Sequence, residues 1–361
     1  MQHSPLPLLQ GHYIIKETRV ERLERIWLTL WDSFNSARKL KLFIAAILAW
    51  LLVAAAFGIY WSFEPDRFDV SEQAKLQTQM DAPVTGAHTV STLIHLTETL
   101  LDKPGGYISN DMTPPGIWLD NMPSWEFGVL VQVRDMSRAL RKSFSRSQSQ
   151  STEDPALAKA EPLLHFDHRN WILPSSESEY RKSLKQLYDY RQRLADNEQP
   201  DAQFYARADN LRDWLGDVST RLGSLSQRLS ASVGQRRINT DLAGDSAGRQ
   251  ATEASEELEI KTPWMQIDNV FYEARGTAWA LIHMLEAIER DFGDALDKKN
   301  ARASVRQIIR ELEATQSTIW SPMILNGTEF GFLSNHSLVM ASYISRANAA
   351  IIDLRDLLSQ G

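Results

Sequence analysis

The side chains best suited to chemistry occur in two short stretches with the pattern His-x-x-Glu and in two further glutamates. These residues are His95 with Glu98, His283 with Glu286, and the separate glutamates Glu126 and Glu329. Residues three positions apart lie on the same face of a helix, so each pair can present an imidazole and a carboxylate together. A carboxylate–histidine set of this kind is typical of helical bundles that hold two metal ions.

Two features of the same residues favour a structural role instead. Bundles that bind two metals use the reverse order, Glu-x-x-His. On a helix, His95 and Glu98 fall away from the apolar stripe of their own segment, and the second pair falls opposite its stripe. We expect such polar residues to form salt bridges, here with Arg138 and Arg346. A structural polar network is the first interpretation; a site for a small ligand or peptide, and a metal site, are the alternatives.

Other features exclude several classes of function. The chain has no cysteine, which excludes disulfides, thiolate nucleophiles and zinc–thiolate sites. It has no GxSxG, HExxH or P-loop motif, and His165-x-x-His168 has no thiolate nearby to complete a zinc site. The net charge of −7 argues against a nucleic-acid-binding protein. The sequence names no reaction, favours a binding protein over an enzyme, and predicts no cofactor.

The chain is organised around an apolar segment from Leu42 to Phe63. Its 22 residues carry no charge, and as a helix they would extend about 33 Å, enough to cross a bilayer. A cleavable signal peptide has a shorter apolar core, of about 7–15 residues, so we predict a retained single-pass anchor. Residues 1–41 precede it, with an amphipathic pattern over residues 13–35. That pattern is typical of a helix on the bilayer surface or of a docking helix for a cytosolic partner.

The basic residues on either side of this segment indicate its orientation. Five lysines and arginines lie in the 20 residues before it, and two lie in the 20 residues after it. Positive charge is enriched on the cytoplasmic side of membrane proteins. We therefore predict a cytoplasmic N-terminus and a large C-terminal domain that faces outward, into the periplasm if the source is a Gram-negative bacterium.

The rest of the chain shows mainly helical periodicity and predicts an all-α domain. Its strongest pattern is a heptad repeat of apolar residues at steps of four and three: Leu211, Leu215, Val218, Leu222, Leu225 and Leu229. A preceding helix, opened by Ser176 and Glu179 as a capping box, can pair with it as an antiparallel coiled-coil hairpin over residues 176–237. The apolar seam is either satisfied within this hairpin or available to a helix of a partner protein.

Short matches in the same order indicate two related halves around the hairpin. Besides the two His-x-x-Glu stretches, Glu-Phe-Gly and Ser-Arg-Ala each occur twice, at 126–128 and 329–331 and at 137–139 and 345–347. We predict two helix–loop–helix units, residues 86–144 and 276–358, that pack about a pseudo-twofold axis. The predicted segments after the anchor are a first half (64–146, starting with an acidic stalk over 64–85), a linker (147–160), the hairpin insertion (161–237), a second linker (238–262) and a second half (263–361).

Three parts of the chain carry a resemblance to a known family. They are Pro-Pro-Gly-Ile-Trp-Leu-Asp-Asn-Met-Pro-Ser-Trp-Glu-Phe-Gly at 114–128, the single apolar segment near the N-terminus, and the C-terminal Trp-Ser-Pro followed by Glu-Phe-Gly. With these features the chain resembles, from the apolar segment onward, the uncharacterised bacterial membrane proteins grouped as domain of unknown function 2333 (DUF2333). The resemblance implies a single-pass envelope protein of proteobacteria. It implies no activity and no catalytic residues.

Together these patterns predict a single-pass, inner-membrane-anchored periplasmic protein that acts as a protein-interaction or scaffold component of the envelope. The expected contacts are the membrane, an envelope protein bound through the hairpin heptad, and a second copy of the chain. The alternative is a periplasmic ligand- or metal-binding domain, with hydrolysis as one option. That domain would use the two His-x-x-Glu pairs together with Glu126, Arg138, Glu329 and Arg346.

Overall fold

The structure is a computed structural model of the 361-residue chain. It describes residues 24, 26–29, 37–78, 83–147, 152–196, 201–238, 257–321, 323–328 and 332–360. The chain divides into two compact units, residues 1–57 and residues 58–361. The secondary structure of the described residues is almost entirely α-helical, so the predicted all-α fold class is confirmed.

The first unit contains most of the apolar segment. Helix α1 (Ala37–Trp61) begins in this unit, and from Lys39 onward it is long and apolar enough to cross a membrane. Among the described residues it is the one helix with that property. Of the amphipathic helix predicted over residues 13–35, only residues 24 and 26–29 are described, and these are helical. The remainder of that prediction lies outside the described residues.

The described residues of the second unit form a helical domain with one small pair of strands. Its helices are α2 (Val70–Thr78), α3 (Ala87–Asp102), α4 (Asn121–Ala139), α5 (Pro155–Leu164), α6 (Ser176–Ala195), α7 (Ala208–Ser230), α8 (Ile267–Asp291), α9 (Gly293–Lys298), α10 (Arg302–Ala314) and α11 (His336–Ser359). A π-helical turn (Leu140–Phe144) extends α4. Strands β1 (Gln235–Ile238) and β2 (Glu257–Ile260) pair antiparallel between α7 and α8.

Helices α4 and α8 pack along each other at the centre of this unit. Two glycines allow the close approach. A Cβ atom at Gly276 would lie 2.1 Å from the Trp125 carbonyl oxygen, and one at Gly128 would lie 2.2 Å from the Glu273 carbonyl oxygen, so no larger residue fits. The buried rings of Trp125 and Trp279 pack beside this crossing, 5.1 Å apart. Helices α3, α10 and α11 also pack on α8, which makes α8 the main support of the domain.

The predicted pairing of two helices within residues 176–237 is wrong. Helix α6 packs on α5 and α3, whereas α7 packs on α11. Residues 201–207, predicted as the first part of the second helix, are not helical. The Tyr205 amide donates to the Phe144 carbonyl oxygen at 2.6 Å. This connection leads the chain onto the end of α4 before α7 begins at Ala208.

The predicted heptad is buried against a different helix. All six of its residues are buried: Leu211, Leu215, Val218, Leu222, Leu225 and Leu229. Helix α11 presents buried residues at the same steps of four and three: Met340, Ile344, Ala347, Ile351, Leu354 and Leu358. Ser226 contacts Ser345, and Gly216 lies beside Arg355, so the two helices run antiparallel. The apolar face of the heptad is therefore buried inside the domain and is not exposed to a partner protein.

The predicted pseudo-twofold packing of two halves is not observed. Such an arrangement would place α3 against α11 in the way that α4 meets α8. Instead α11 packs along α7, and α3 packs on α2, α6 and α8. The physical reason is that the apolar stripe of α11 matches the heptad of α7 residue for residue. The second Glu-Phe-Gly, at 329–331, lies outside the described residues.

Several predicted boundaries differ from the structure. Helix α5 occupies part of the predicted linker 147–160, and Asp154 caps it by accepting two amides of its first turn. Ser175 rather than Ser176 caps α6, since the Ser176 hydroxyl donates to backbone carbonyls of the preceding loop. Parts of the predicted linker 238–262 belong to strands: Ile238 ends β1, and β2 spans Glu257–Ile260. These four-residue strands are too short and too polar to give a clear periodic signal.

Candidate functional site

The chain that leaves α1 lies along α8 and does not form the predicted stalk. We call residues 64–69 the docked segment. Glu64 contacts Arg275, and Phe68 contacts His283. Eight helical residues separate the two contact points on α8, about 12 Å, and four extended residues cover about 13 Å. The docked segment therefore follows α8 in a nearly extended conformation.

A buried ion pair holds the start of the docked segment. The Arg275 guanidinium donates to both carboxylate oxygens of Glu64, from Nε at 2.7 Å and from Nη2 at 2.5 Å. Its Nη1 donates to the carbonyl oxygens of Thr315 and Ser317, at 2.9 and 3.0 Å. The side chain of Arg275 is only 7% exposed, so a buried charge is compensated by a carboxylate and two carbonyls. This arginine fastens the docked segment to α8 and to the end of α10.

An aromatic stack holds the end of the docked segment. The ring of Phe68 lies parallel to the imidazole of His283, with centroids 3.9 Å apart, and meets the imidazole of His95 edge-on at 4.3 Å. The Phe68 amide donates to His283 Nε2 at 3.2 Å. His283 Nδ1 lies 2.7 Å from the Trp279 carbonyl oxygen and donates to it, because a carbonyl can only accept. These two hydrogen bonds together require the neutral imidazole.

The electrostatics of His283 agree with that protonation state. The pKa of His283 is lowered to about 3, mainly by burial; the positive charge of Arg67 contributes to the lowering, and the hydrogen bond to Trp279 acts against it. Protonation would place an N–H group on Nε2, opposite the amide of Phe68, where the docked segment supplies no acceptor. The stack is therefore built for a neutral histidine.

The docked segment ends by starting helix α2. The Asp69 carboxylate accepts the amides of Ser71 and Glu72 at 2.7 and 3.0 Å, which is helix N-capping. The hydrogen bond from the Glu72 amide is the main reason why the pKa of Asp69 is lowered. Val70 and Ala74 on α2 are buried, and α2 packs on α3. The whole stretch from Glu64 to the end of α2 is therefore part of the domain.

The last turn of α1, which belongs to the second unit, also packs on the domain. A Cβ atom at Gly58 would lie 3.5 Å from the Pro115 side chain, an ordinary contact. A Cβ atom at Gly105 would lie 2.7 Å from the Trp61 ring, and Gly105 has φ of +87°. Both the positive φ and the space for Trp61 require glycine at this position. The loop that follows α3 is thus shaped around the end of α1.

The structure brings the two predicted His-x-x-Glu pairs to the docked segment. His95 Nδ1 lies 3.4 Å from Glu98, which also accepts the Tyr188 hydroxyl. Burial raises the pKa of Glu98, but the hydrogen bonds from His95 and Tyr188 outweigh it, so this pKa is lowered overall. Glu286 lies 3.3 Å from Arg67, and its pKa is raised by burial, against the attraction of Arg67. The two histidines contact the Phe68 ring, and the two glutamates bind His95 and Arg67 beside it.

The other predicted site residues lie elsewhere. Glu126 is fully buried and accepts the amides of Ile108 and Ser109 at 2.9 and 2.8 Å, while Lys103 Nζ lies 2.5 Å away. It shapes the loop after α3. Among the described residues, no group of three or more histidines and carboxylates is placed to hold a metal ion.

The two predicted arginines do not pair with the His-x-x-Glu glutamates. Arg138 lies 3.4 Å from Asp135, and Arg346 lies 3.0 Å from Glu311. Glu329 lies outside the described residues. The predicted residues therefore do not form one ligand set.

Sequence reasoning missed three residues of the docking contact: Glu64, Phe68 and Arg275. Arg275 did leave a signal, since it stands between Ala274 and Gly276 in a helix whose following residues are mostly apolar. A charged residue in such a place is buried only when it is paired. Glu64 and Phe68 gave no periodic signal, because the docked segment is extended and short.

A separate cavity of about 560 Å³ lies between the loop after α3, the loop before α6 and the start of α8. Asp111, His168 and Arg169 are among its lining residues. Burial raises the pKa of Asp111, with a further contribution from the charge of Glu126. Burial also lowers the pKa of His168, together with nearby arginines. Two titratable side chains with shifted pKa values therefore line this cavity.

Comparisons with known proteins identify the family of this chain. The family model described as "Uncharacterized protein conserved in bacteria (DUF2333)" matches residues 35–361. No curated protein and no solved structure matches the chain. The match covers most of the chain, so the protein belongs to the DUF2333 family, as the resemblance in its sequence indicated.

Proposed function

We propose that this member of the DUF2333 family is a single-pass protein of the bacterial inner membrane whose helical domain binds other components of the envelope. The observation that carries the proposal is the docked segment. A flexible tether would leave a domain free to move away from its anchor. Here Glu64 and Phe68 fix the chain along α8, so the last turn of α1 and the domain form one body. A binding surface on this domain therefore stays close to the membrane.

The proposed orientation of the chain in the membrane rests on the distribution of its basic residues. The excess of lysine and arginine before α1 favours a cytoplasmic N-terminus and a periplasmic domain. Alkaline phosphatase, which is active only outside the cytoplasm, can be fused after Gly361, and a green fluorescent protein fusion at the same position is the matched control. We expect an active phosphatase and a dark fluorescent protein. The opposite pair of results would contradict the periplasmic location.

A binding role is supported by the way in which the candidate site residues use their polar atoms. Both nitrogens of His283 are hydrogen-bonded within the protein, and Glu126 accepts several donors of one loop. These groups stabilise the domain and leave little capacity for a reaction. The heptad of α7 does not serve as a partner surface, because α11 covers it.

In-cell crosslinking with mass spectrometry tests the binding role. The native chain, Arg275→Ala and Arg181→Ala are compared at equal levels in the membrane. Arg181 pairs with Asp102 on the surface, with both side chains more than half exposed, and is the control for loss of one arginine. We expect a specific set of envelope partners for the native chain and for the control, and a reduced set when the docked segment is released. No specific partner for the native chain would contradict the proposal.

A second candidate function is the binding of a small polar ligand in the 560 Å³ cavity. The raised pKa of Asp111 and the lowered pKa of His168 favour it, because shifted pKa values in a cavity are typical of binding sites. Native mass spectrometry of the full-length protein, released from lipid nanodiscs, would show a co-purified ligand as added mass. We expect that mass to disappear in Arg169→Ala and to persist in Arg212→Ala, a surface control. A native chain without added mass would contradict this candidate.

A further inference from the structure

Large apolar side chains are exposed in three loops of the helical domain. We call them the apolar rim: Ile117, Trp118, Trp171, Leu173, Trp264 and Met265. Leu173 is 94% exposed and Trp264 is 82% exposed. Single exposed apolar residues are common on soluble proteins, but a group that includes three tryptophans marks an interaction surface.

The three loops of the apolar rim come together around one cavity. Ile117 lines the cavity, as do Arg169, two residues before Trp171, and Gln266, the residue after Met265. The side-chain amide of Asn110 donates to the Asn170 carbonyl oxygen at 3.0 Å and joins the first two loops. The apolar side chains of the three loops therefore belong to one surface.

The apolar rim is continuous with the end of the apolar helix. Gly58, one turn before Trp61, lies against Pro115 and Leu119, and these two residues flank Ile117 and Trp118 in the chain. The last turn of a membrane-spanning helix lies at the boundary between the hydrocarbon and the headgroups. If α1 spans the membrane as proposed, a loop that packs against that turn lies at the same level, within reach of lipid.

We propose that the apolar rim inserts into the interfacial layer of the membrane that α1 crosses, so that the lipid surface is a second binding partner of the domain. Tryptophan prefers this layer, where its ring meets both apolar chains and polar headgroups. Arg169, exposed at the edge of the cavity, is placed to meet headgroup phosphates. This inference rests on the proposed membrane anchoring and adds a specific lipid contact to it.

Spin-label accessibility of the full-length protein in nanodiscs tests the lipid contact. The chain has no cysteine, so a single introduced cysteine carries the only label. The test positions are Leu173→Cys and Met265→Cys. Leu52→Cys, within α1, reports the anchor, and Lys298→Cys, beyond the far end of α8, reports water. Helix α8 has 25 residues and is about 37 Å long, which separates the last position well from the apolar rim.

The measured quantity is the ratio of label collisions with oxygen, which concentrates in the bilayer, to collisions with a water-soluble nickel chelate. We expect ratios at Leu173 and Met265 between those at Leu52 and Lys298, and at least about twofold above Lys298, because the interfacial layer is partly dehydrated. The nanodiscs contain phosphatidylethanolamine and phosphatidylglycerol.

Three other outcomes would overturn the inference, each for a different reason. Low ratios at the rim positions with a high ratio at Leu52 would show an anchored protein whose rim faces water. Low collision rates with both reagents at the rim would show that protein, such as a second copy, covers it. A low ratio at Leu52 would remove the membrane anchor and the proposed function together with it.

Discussion

The docked segment and the apolar rim both adjoin the end of α1, and they are built in opposite ways. In the docked segment, Glu64 and Phe68 complete their contacts inside the protein, with Arg275 and with two histidines. In the apolar rim, Leu173 and Trp264 expose nearly their whole side chains. The docked segment stabilises the fold, whereas the apolar rim exposes apolar surface that is available to a binding partner. Substitutions in the two regions should therefore have separate effects.

The largest expected effect follows from Arg275→Ala. This change leaves the half-buried Glu64 carboxylate and two backbone carbonyls without their donor, and breaking a buried ion pair costs about 3 kcal/mol. Denaturant unfolding of the full-length protein in detergent measures the free energy of unfolding. The control, Arg181→Ala, removes the pair with Asp102, in which the arginine side chain is 54% exposed, and should cost under about 1 kcal/mol. Equal losses would contradict the buried anchor point.

A smaller effect is expected for Phe68→Ala. The change removes the stack on His283 and the edge contact with His95, and a half-buried phenylalanine with such contacts is worth about 2 kcal/mol. Limited proteolysis should also cut residues 64–69 faster than in the native chain. Leu76→Ala on α2 is the control, since Leu76 is 66% exposed. Its stability and cleavage rate should match those of the native protein.

The protonation of His283 makes the docked segment sensitive to acid. The pKa of His283 is about 3 in the folded protein and about 6.5 in the unfolded chain. Below pH 6.5 the unfolded state therefore binds a proton that the folded state does not, and stability falls as the pH falls toward 3. From pH 7 to pH 5 this histidine should cost about 1–2 kcal/mol.

Unfolding at several pH values measures this effect. His283→Gln keeps an acceptor for the Phe68 amide but does not titrate, so its stability should fall less between pH 7 and pH 5. Identical pH profiles for the two proteins would contradict the assignment of the neutral imidazole.

The smallest expected effect on stability concerns the apolar rim. Leu173→Ser and Met265→Ser change side chains that contact little of the protein, so the free energy of unfolding in detergent should change by less than about 0.5 kcal/mol. Leu187→Ser, at a fully buried position of α6, is the control. It should lower the free energy of unfolding far more than either rim substitution. A large loss from the rim substitutions would show that the rim packs within the protein.

The helices were predictable from the sequence, but their partners were less so. The heptad from Leu211 to Leu229 correctly marked a buried seam. It did not identify α11 as the partner, because other faces of that helix also carry apolar residues, such as Val339 and Ile352, and hide the steps of four and three that begin at Met340. Adjacency in the chain favoured α6, and the extended residues 201–207, which carry α7 away from it, had no clear signature.

Four of the predicted site residues lie beside the docked segment, but the docked segment itself was not predicted. The polar, structural interpretation of His95, Glu98, His283 and Glu286 agrees with the contacts that they make around Phe68. The sequence placed these residues on the polar side of their helices, and neither the full burial of His283 nor an extended segment covering that side was expected. A short extended segment has no repeating hydrophobic pattern from which its packing could be predicted. Its contact with α8 is therefore visible only in the structure.

Hydrogen–deuterium exchange of the full-length protein in nanodiscs tests the central claim most directly. The Phe68 amide donates to a fully buried histidine, and Val70 begins a helix packed on α3. Peptides covering residues 64–78 should therefore exchange at least about 100-fold more slowly than an unstructured chain, since exchange requires the segment to open. Arg275→Ala should remove much of this protection. Exchange of these peptides at the unstructured rate in the native protein would contradict the docked segment.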